Sequence, residues 1–258
     1  MKEPLLPADQ VRQQVRARYG AIALQAESGC GCGCGCAIPP QVLGYRPEDL
    51  AVAPPGAEMG LGCGNPTALA AVQPGQTVLD LGCGGGFDCF VIARKTGPTG
   101  RVIGVDMTPE MIARARANAA QAGAGNVEFR LGEIEHLPVA DASVDWIISN
   151  CVINLSPNKA QVLAEAFRVL RPGGGLAITD IVAVQPMPEK LKTDWAALTG
   201  CVAGAATVAE WTTLLQRAGF VEIQIELKPN SRELLNHWMP GAGEVAASAS
   251  ITARKPVA

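Results

Sequence analysis

Along the chain, apolar and polar positions first settle into a helical period between Asp9 and Ala26, where Val11, Val15, Tyr19 and Ile22 fall on one face with arginines between them. This reads as an amphipathic helix lying over a main domain. The stretch from Tyr45 to Asn65 carries Pro47, Pro54, Pro55 and several glycines, and reads as loop. Short apolar runs then alternate with amphipathic ones. Thr77 to Leu81 is a buried strand, followed by a glycine turn and a helix from Phe87 to Thr96. Arg101 to Val105 is a second strand ending in Asp106, and Pro109 to Gly123 a helix with Thr108 as N-cap and Pro109 at its first position. Val127 to Leu131, Asp145 to Cys151 and Leu176 to Ile181 read as the third, fourth and fifth strands, the last two separated by a helix, Pro157 to Leu170, and a glycine turn. From Pro186 to Thr207 the pattern is helical but interrupted. A helix over Thr207 to Ala218, a strand over Val221 to Leu227 and a final strand over about Ala247 to Ala253 follow.

Strands and helices alternating at these lengths form right-handed parallel βαβ units. The expected fold is therefore α/β, a Rossmann-like, doubly wound, mostly parallel seven-stranded sheet with the last strand antiparallel. Three segments are expected: an N-terminal helix, cysteine-rich stretch and loop over 1–66, a cofactor-binding core over 67–184, and a helical insert with the closing strands over 185–258.

Composition narrows the function. A chain of 258 residues with 48% apolar and 17% charged residues suits one α/β domain with a large core. A net charge of −3 argues against a nucleic-acid partner held by a basic surface. MKEPLLPADQ has no apolar signal-peptide region and no run is long enough to cross a bilayer, so the expected setting is cytoplasmic, with no membrane partner. In a reducing compartment the nine cysteines are thiols, and they call for metal, redox or soft-ligand explanations before disulfides. With only two histidines, His136 and His237, mixed cysteine and histidine zinc sites are disfavoured.

The run Thr77-Val78-Leu79-Asp80-Leu81-Gly82-Cys83-Gly84-Gly85-Gly86-Phe87 is a strand feeding a nucleotide-type loop, in which glycines permit a sharp turn and close backbone approach to a ligand. A dinucleotide fingerprint needs glycine or alanine three places after Gly84, where this chain has Phe87. Asp80, just before the first glycine, would repel a pyrophosphate and attract an ammonium. S-adenosylmethionine (SAM), with an amino-acid ammonium, a sulfonium and no phosphate, fits that requirement. Asp106 stands where an acidic residue meets ribose hydroxyls in such folds, with capping of the next helix as the competing reading. Glu133 lies at the end of the third strand and offers an acceptor to an adenine amino group, with ordinary surface charge as the alternative. The candidate cofactor contacts are Asp80, Gly82, Gly84, Asp106, Met107, Glu133, Ile134 and Asn150.

Three thiols stand apart from the rest. Cys63 is flanked by Gly62 and Gly64, Cys151 ends the fourth strand on the cofactor side, and Cys201 follows Gly200 in the interrupted helical region. Cys63 also admits a reading as a buried structural cysteine. Cys89 falls on the apolar face of its helix and reads as core, and Cys83 as a small residue between glycines. In Gly29-Cys30-Gly31-Cys32-Gly33-Cys34-Gly35-Cys36, four thiols on a glycine-rich tether suit a soft metal ion or metalloid, the alternative being a disordered linker.

These motifs resemble the class I SAM-dependent methyltransferases over about Gln76 to Ile181, through VLDLGCGGG, VIGVDM, LGEIEHLP and LRPGGGLAI. LGCGNPTAL, SNCVINLSP and TGCVAGA carry a narrower resemblance, over most of the chain, to the arsenite methyltransferases. The resemblance implies methylation of trivalent arsenic, as arsenite or its thiol conjugates, for detoxification. Cys63, Cys151 and Cys201 would bind the arsenic, with one of Cys30, Cys32, Cys34 or Cys36 as a further N-terminal ligand. The chain departs from the family in having four alternating cysteines where fewer are usual, and in lacking the long C-terminal extension of some animal and algal members.

Trivalent arsenic held by three thiolates keeps its lone pair, which can attack the sulfonium methyl without a general base. Methylation formally oxidises arsenic. Thiols must then return it to the trivalent state, with disulfides reduced by a thiol reductant of the glutathione or thioredoxin type. Two other readings stay open on the sequence alone: a methyltransferase acting on a small organic carbon or oxygen acceptor, and a thiol-rich metalloid-binding protein without turnover. Assays with arsenite against phenolic acceptors, and of SAM consumption, separate the three.

Overall fold

The computed structural model describes residues 6–25 and 39–257. Its elements, in chain order, are α1 (Ala8–Leu24), α2 (Pro47–Leu50), α3 (Pro66–Leu69), β1 (Thr77–Leu81), α4 (Phe87–Thr96), β2 (Arg101–Asp106), α5 (Pro109–Ala122), β3 (Val127–Leu131), β4 (Val144–Asn150), α6 (Lys159–Val169), β5 (Leu170–Ala183), α7 (Glu189–Lys192), α8 (Trp195–Thr199), α9 (Val208–Ala218), β6 (Val221–Leu227), α10 (Ser231–Trp238), α11 (Ala242–Val245) and β7 (Ala246–Arg254). A single 3-10 turn, Ile153–Leu155, follows β4.

Alternation along β1 sends Leu79 and Leu81 to one face of the sheet, where they pack with Leu163 of α6 and Trp211 of α9. Val78 goes to the other face, against Phe90 and Ile92 of α4 and Ile112 of α5. Both faces are thus covered, as parallel strands require. The seven strands run β3-β2-β1-β4-β5-β7-β6, parallel from β3 to β5, with β7 antiparallel to both of its neighbours. This is the expected doubly wound sheet. From β1 the chain builds outward to β2 and β3 on one side and later to β4 and β5 on the other, so the crevice at the carboxyl ends of β1 and β4 is the topological switch point where such sheets bind ligands. No helix of the described residues is long and apolar enough to cross a membrane.

The structure corrects several element bounds. α6 starts at Lys159 rather than Pro157, because the Asn158 side chain accepts the Gln161 N–H and caps it. Leu170 already pairs with Val144 in β5, and the expected glycine turn is a bulge inside that strand, where Gly173 takes φ +78°. Thr108 occupies the N-cap position of α5, but its side chain accepts no capping bond. The Asp106 carboxylate takes the Thr108 N–H instead, at 2.8 Å. Within the stretch read as loop, Pro47 opens the short helix α2.

Candidate active site at the switch point of the sheet

β1 ends against a turn that its glycines make possible. Gly82 has φ +70°, and a Cβ there would stand 2.5 Å from the Val152 side chain. The Gly82 and Cys83 N–H groups both donate to the Val105 carbonyl of β2, at 2.7 and 3.0 Å, and the Gly84 N–H donates to Asp106 Oδ2 at 3.0 Å. Asp106 therefore clasps the glycine loop to the start of α5.

A cavity lies over this loop. It is walled by Asp80, Gly82, Gly84, Asp106, Met107, Ile134 and Asn150, by Cys151, and by Arg12, Val15 and Tyr19 of α1. Glu133 does not line it. That carboxylate is instead held by Arg12 and Arg16 of α1, each at 3.4 Å, while the next acidic residue, Glu135, does face the cavity. Cys30, Cys32, Cys34 and Cys36 lie outside the described residues.

The cavity floor is acidic. Burial raises the Asp80 carboxyl well above the carboxylate range, and the neighbouring Asp88 raises it further, while a hydrogen bond from Cys89 at 3.2 Å opposes the shift. Burial likewise pushes Asp88 up to about 6, against donation from the Tyr45 hydroxyl at 2.6 Å and Asn150 Nδ2 at 3.2 Å. Two buried acids held this way favour a positively charged guest. An ammonium and a sulfonium, as in SAM, suit a cavity lined by Asp80, Asp88 and Asp106.

Cys63, Cys151 and Cys201, distant in sequence, meet behind one wall of this cavity in a cluster that also holds Val15, Leu155 and Leu198. They are 1%, 5% and 2% exposed and free of disulfides. Cys151 interacts electrostatically with both of the others. Those contacts, followed by burial, push its thiol well above the usual range. For Cys201 the hydrogen bond with Cys151 pulls the pKa down, but burial and the nearby Asp180 outweigh it and the net shift is upward.

Both of these cysteines adopt left-handed backbone conformations, Cys151 with φ +60° and Cys201 with φ +64°. Such conformations are costly for a side chain with a Cβ and persist where surrounding structure enforces them, commonly at functional sites. The Cys151 N–H donates to the Thr179 carbonyl at 2.8 Å, and the Cys201 thiol donates to the Cys151 carbonyl at 2.8 Å. Asn154 Nδ2 reaches the Cys201 carbonyl at 3.3 Å and Asp180 Oδ1 at 2.9 Å. Cys63 is placed by Asn150, whose Oδ1 accepts its N–H at 3.1 Å, and by Ser248 of β7, whose hydroxyl donates to the Cys63 carbonyl at 2.9 Å.

The residues this architecture adds to the sequence reading are Tyr45, Asp88, Asn154, Asp180 and Ser248. Asp180 carried a readable signal, an acid inside the apolar run Leu176 to Val184, because a charged residue in a buried strand is rare without a partner. Both histidines are exposed.

Residues 73–219 match the methyltransferase-domain family. An arsenite methyltransferase of Halobacterium salinarum is 50% identical over 263 residues, covering 96% of this chain and 67% of that protein. One of Aquipseudomonas alcaligenes is 44% identical over 168 residues, covering 62% of this chain and 48% of that protein. The chain thus spans about two thirds of the first relative's length and about half of the second's. The crystal structure of an arsenic(III) S-adenosylmethionine methyltransferase from Chlamydomonas reinhardtii is similar with a TM-score of 0.63 at 35% identity, over 83% of this chain and 71% of that one. With its glycine loop at the switch point, its matched methyltransferase domain and relatives alike over most of its length, this chain belongs to the arsenite S-adenosylmethionine methyltransferase family.

Proposed function

We propose that this chain methylates trivalent arsenic held by Cys63, Cys151 and Cys201, and that the reaction serves detoxification. The observation that carries the reading is the position of Cys151, which packs in one buried cluster with Cys63 and Cys201 and also lines the same cavity as Asp80, Gly82 and Gly84. Segment 1–66 contributes Cys63 and the covering helix, 67–184 the cofactor residues and Cys151, and 185–258 Cys201.

The raised pKa values of Cys151 and Cys201 suit neutral arsenous acid as the incoming species. Three protonated thiols exchange with its three hydroxides, each proton leaves as water, and no base is needed. This agrees with two histidines that are both exposed. Three sulfurs bind arsenic as a pyramid and leave its lone pair free, so the substrate itself is the nucleophile. When bound, SAM supplies an electrophilic methyl group. Asp80 and Asp88 would hold its cationic amino-acid end, and Asp106 its ribose. The protein's part is placement and exclusion of water. Return of arsenic to the trivalent state takes two electrons from protein thiols, and a small or protein thiol reductant reopens the disulfide that results.

Replacing Cys151 or Cys201 by serine is expected to lower arsenite methylation at least about a hundredfold while leaving SAM affinity within about threefold, as for loss of an interaction with the reacting atoms alone. Separation of arsenic species after incubation with arsenite, SAM and a thiol measures the first, and calorimetry the second. Full turnover in both variants would refute the thiol cage.

A further inference from the structure

The methylation chemistry makes no use of Asp180, yet its carboxylate stands among the thiols. A carboxylate oxygen of Asp180 and the sulfurs of Cys151 and Cys201 all lie within 4.8 Å of one another, and all three residues are buried. A tetrahedral zinc ion, with bonds of about 2.3 Å to sulfur and about 2.1 Å to oxygen, separates its ligands by roughly 3.5 to 3.8 Å. The three groups therefore need to close by at most about 1.3 Å to share such an ion.

The carboxylate is oriented for this. Oδ1 is occupied by Asn154 Nδ2 at 2.9 Å and the Ile181 N–H at 2.8 Å, whereas Oδ2 takes the Asn154 N–H at the longer distance of 3.3 Å. One oxygen is fixed in place by two short bonds and the other is held more loosely. Cys63 packs in the same buried cluster as Cys151 and Cys201 and is the candidate for the fourth position. The Lys159 ammonium lies close enough for its charge to act on both Asp180 and Cys201, which offsets the excess negative charge of three thiolates and a carboxylate around a divalent ion.

The two kinds of guest differ in what they ask of this set. Trivalent arsenic fills its fourth direction with a lone pair and takes sulfur alone. Zinc has no such lone pair and completes a tetrahedron with a fourth ligand. We propose that Cys63, Cys151, Cys201 and Asp180 together form a binding site for a divalent thiophilic cation, zinc in the cell and cadmium as its spectroscopic counterpart, which occupies the sulfurs and excludes the metalloid. Each sulfur that binds releases its proton to solvent, and no electron is transferred. The inference goes beyond the methylation reading and stands on the geometry of the cage alone.

The test titrates cadmium ion into the reduced full-length chain in which Cys30, Cys32, Cys34 and Cys36 are all serine, so that the N-terminal cluster cannot contribute. The expected result is one ion per chain, seen in the ultraviolet thiolate-to-cadmium band, with a mixed sulfur and oxygen shell by X-ray absorption. Asp180→Asn should weaken cadmium at least about tenfold more than it weakens arsenite, and zinc should displace cadmium. Absence of the band, an all-sulfur shell, or equal loss of cadmium and arsenite in Asp180→Asn would each overturn the proposal. The X-ray absorption result decides even where Asp180→Asn does not fold, since it uses the intact carboxylate. If the chain proves not to methylate arsenite, the proposed function fails while the cadmium result stands by itself. If it does, zinc should inhibit methylation competitively with arsenite, and inhibition indifferent to arsenite concentration would count against a shared site.

Discussion

The Asn150 amide accepts from the Cys63 N–H at 3.1 Å and the Thr179 hydroxyl at 2.9 Å, and donates to the Gly64 carbonyl at 2.8 Å. One side chain thereby ties the loop carrying the first thiol to two central strands. Asn150→Ala strands these partners, and should cost about 2 to 3 kcal/mol in urea unfolding and weaken arsenite binding. A variant of unchanged stability would mean that the tether lies elsewhere. Asp88 gives a prediction in pH. Its folded carboxyl titrates at about 6 against an ordinary 3.8, so between those values the folded state holds the extra proton. Its contribution to stability is therefore present below about pH 4 and lost as pH rises through about 6. A cationic ligand favours the ionised form, so SAM binding near pH 6 should release protons and tighten as pH rises. Calorimetry in buffers of different ionisation heat reads that release, and Asp88→Asn should diminish it.

Among the elements, α1 is the one that covers the cavity, through Arg12, Val15 and Tyr19. Its arginines reach Glu133 and Glu135 at 3.4 to 3.5 Å, and partly exposed ion pairs of this length contribute only about 0 to 1 kcal/mol each. Burial of Val11 and Val15 against the thiol cluster holds the helix more firmly, aided by the Tyr19 hydroxyl donating to the Thr199 carbonyl at 3.1 Å, two residues before Cys201. Val15→Asp places a charge in that contact. The expected outcome is faster hydrogen exchange across Ala8–Leu24, with sheet amides still protected and methylation reduced. If the sheet loses protection in parallel, α1 is part of the cooperative core and not a cover.

At the scale of the whole molecule, β7 decides how the three segments behave. It pairs with β5 from Gly175 to Ala183 and with β6 on its other side, so the last segment of the chain completes the sheet begun by the middle one. A chain ending at Gly219 would leave β5 as a long apolar edge carrying Ile178, Ile181 and Val182. It should associate on size-exclusion chromatography, whereas the full chain should unfold in urea in one transition with coincident fluorescence and circular dichroism. Separate transitions would show that the segments fold independently.

Local pattern was enough for the sheet. Phe87–Thr96, Val127–Leu131 and Val221–Leu227 occur where periodicity put them, because burial on a strand or helix repeats at the spacing of neighbouring residues. The short helices α10 and α11 have no counterpart in that pattern, since their form depends on packing against each other and β7 more than on any period of their own. For the site, residue type and strand-end position were sufficient to single out the glycine loop and the thiols at 63, 151 and 201. Their meeting was decided only in three dimensions, by a sheet order that sets β1 beside β4 and a loop that brings Cys201 to the Cys151 carbonyl. The same holds for Asp180 and for the left-handed turns at both cysteines. Hydrogen bonds from residues tens of positions away impose those features, and no local sequence signal encodes them.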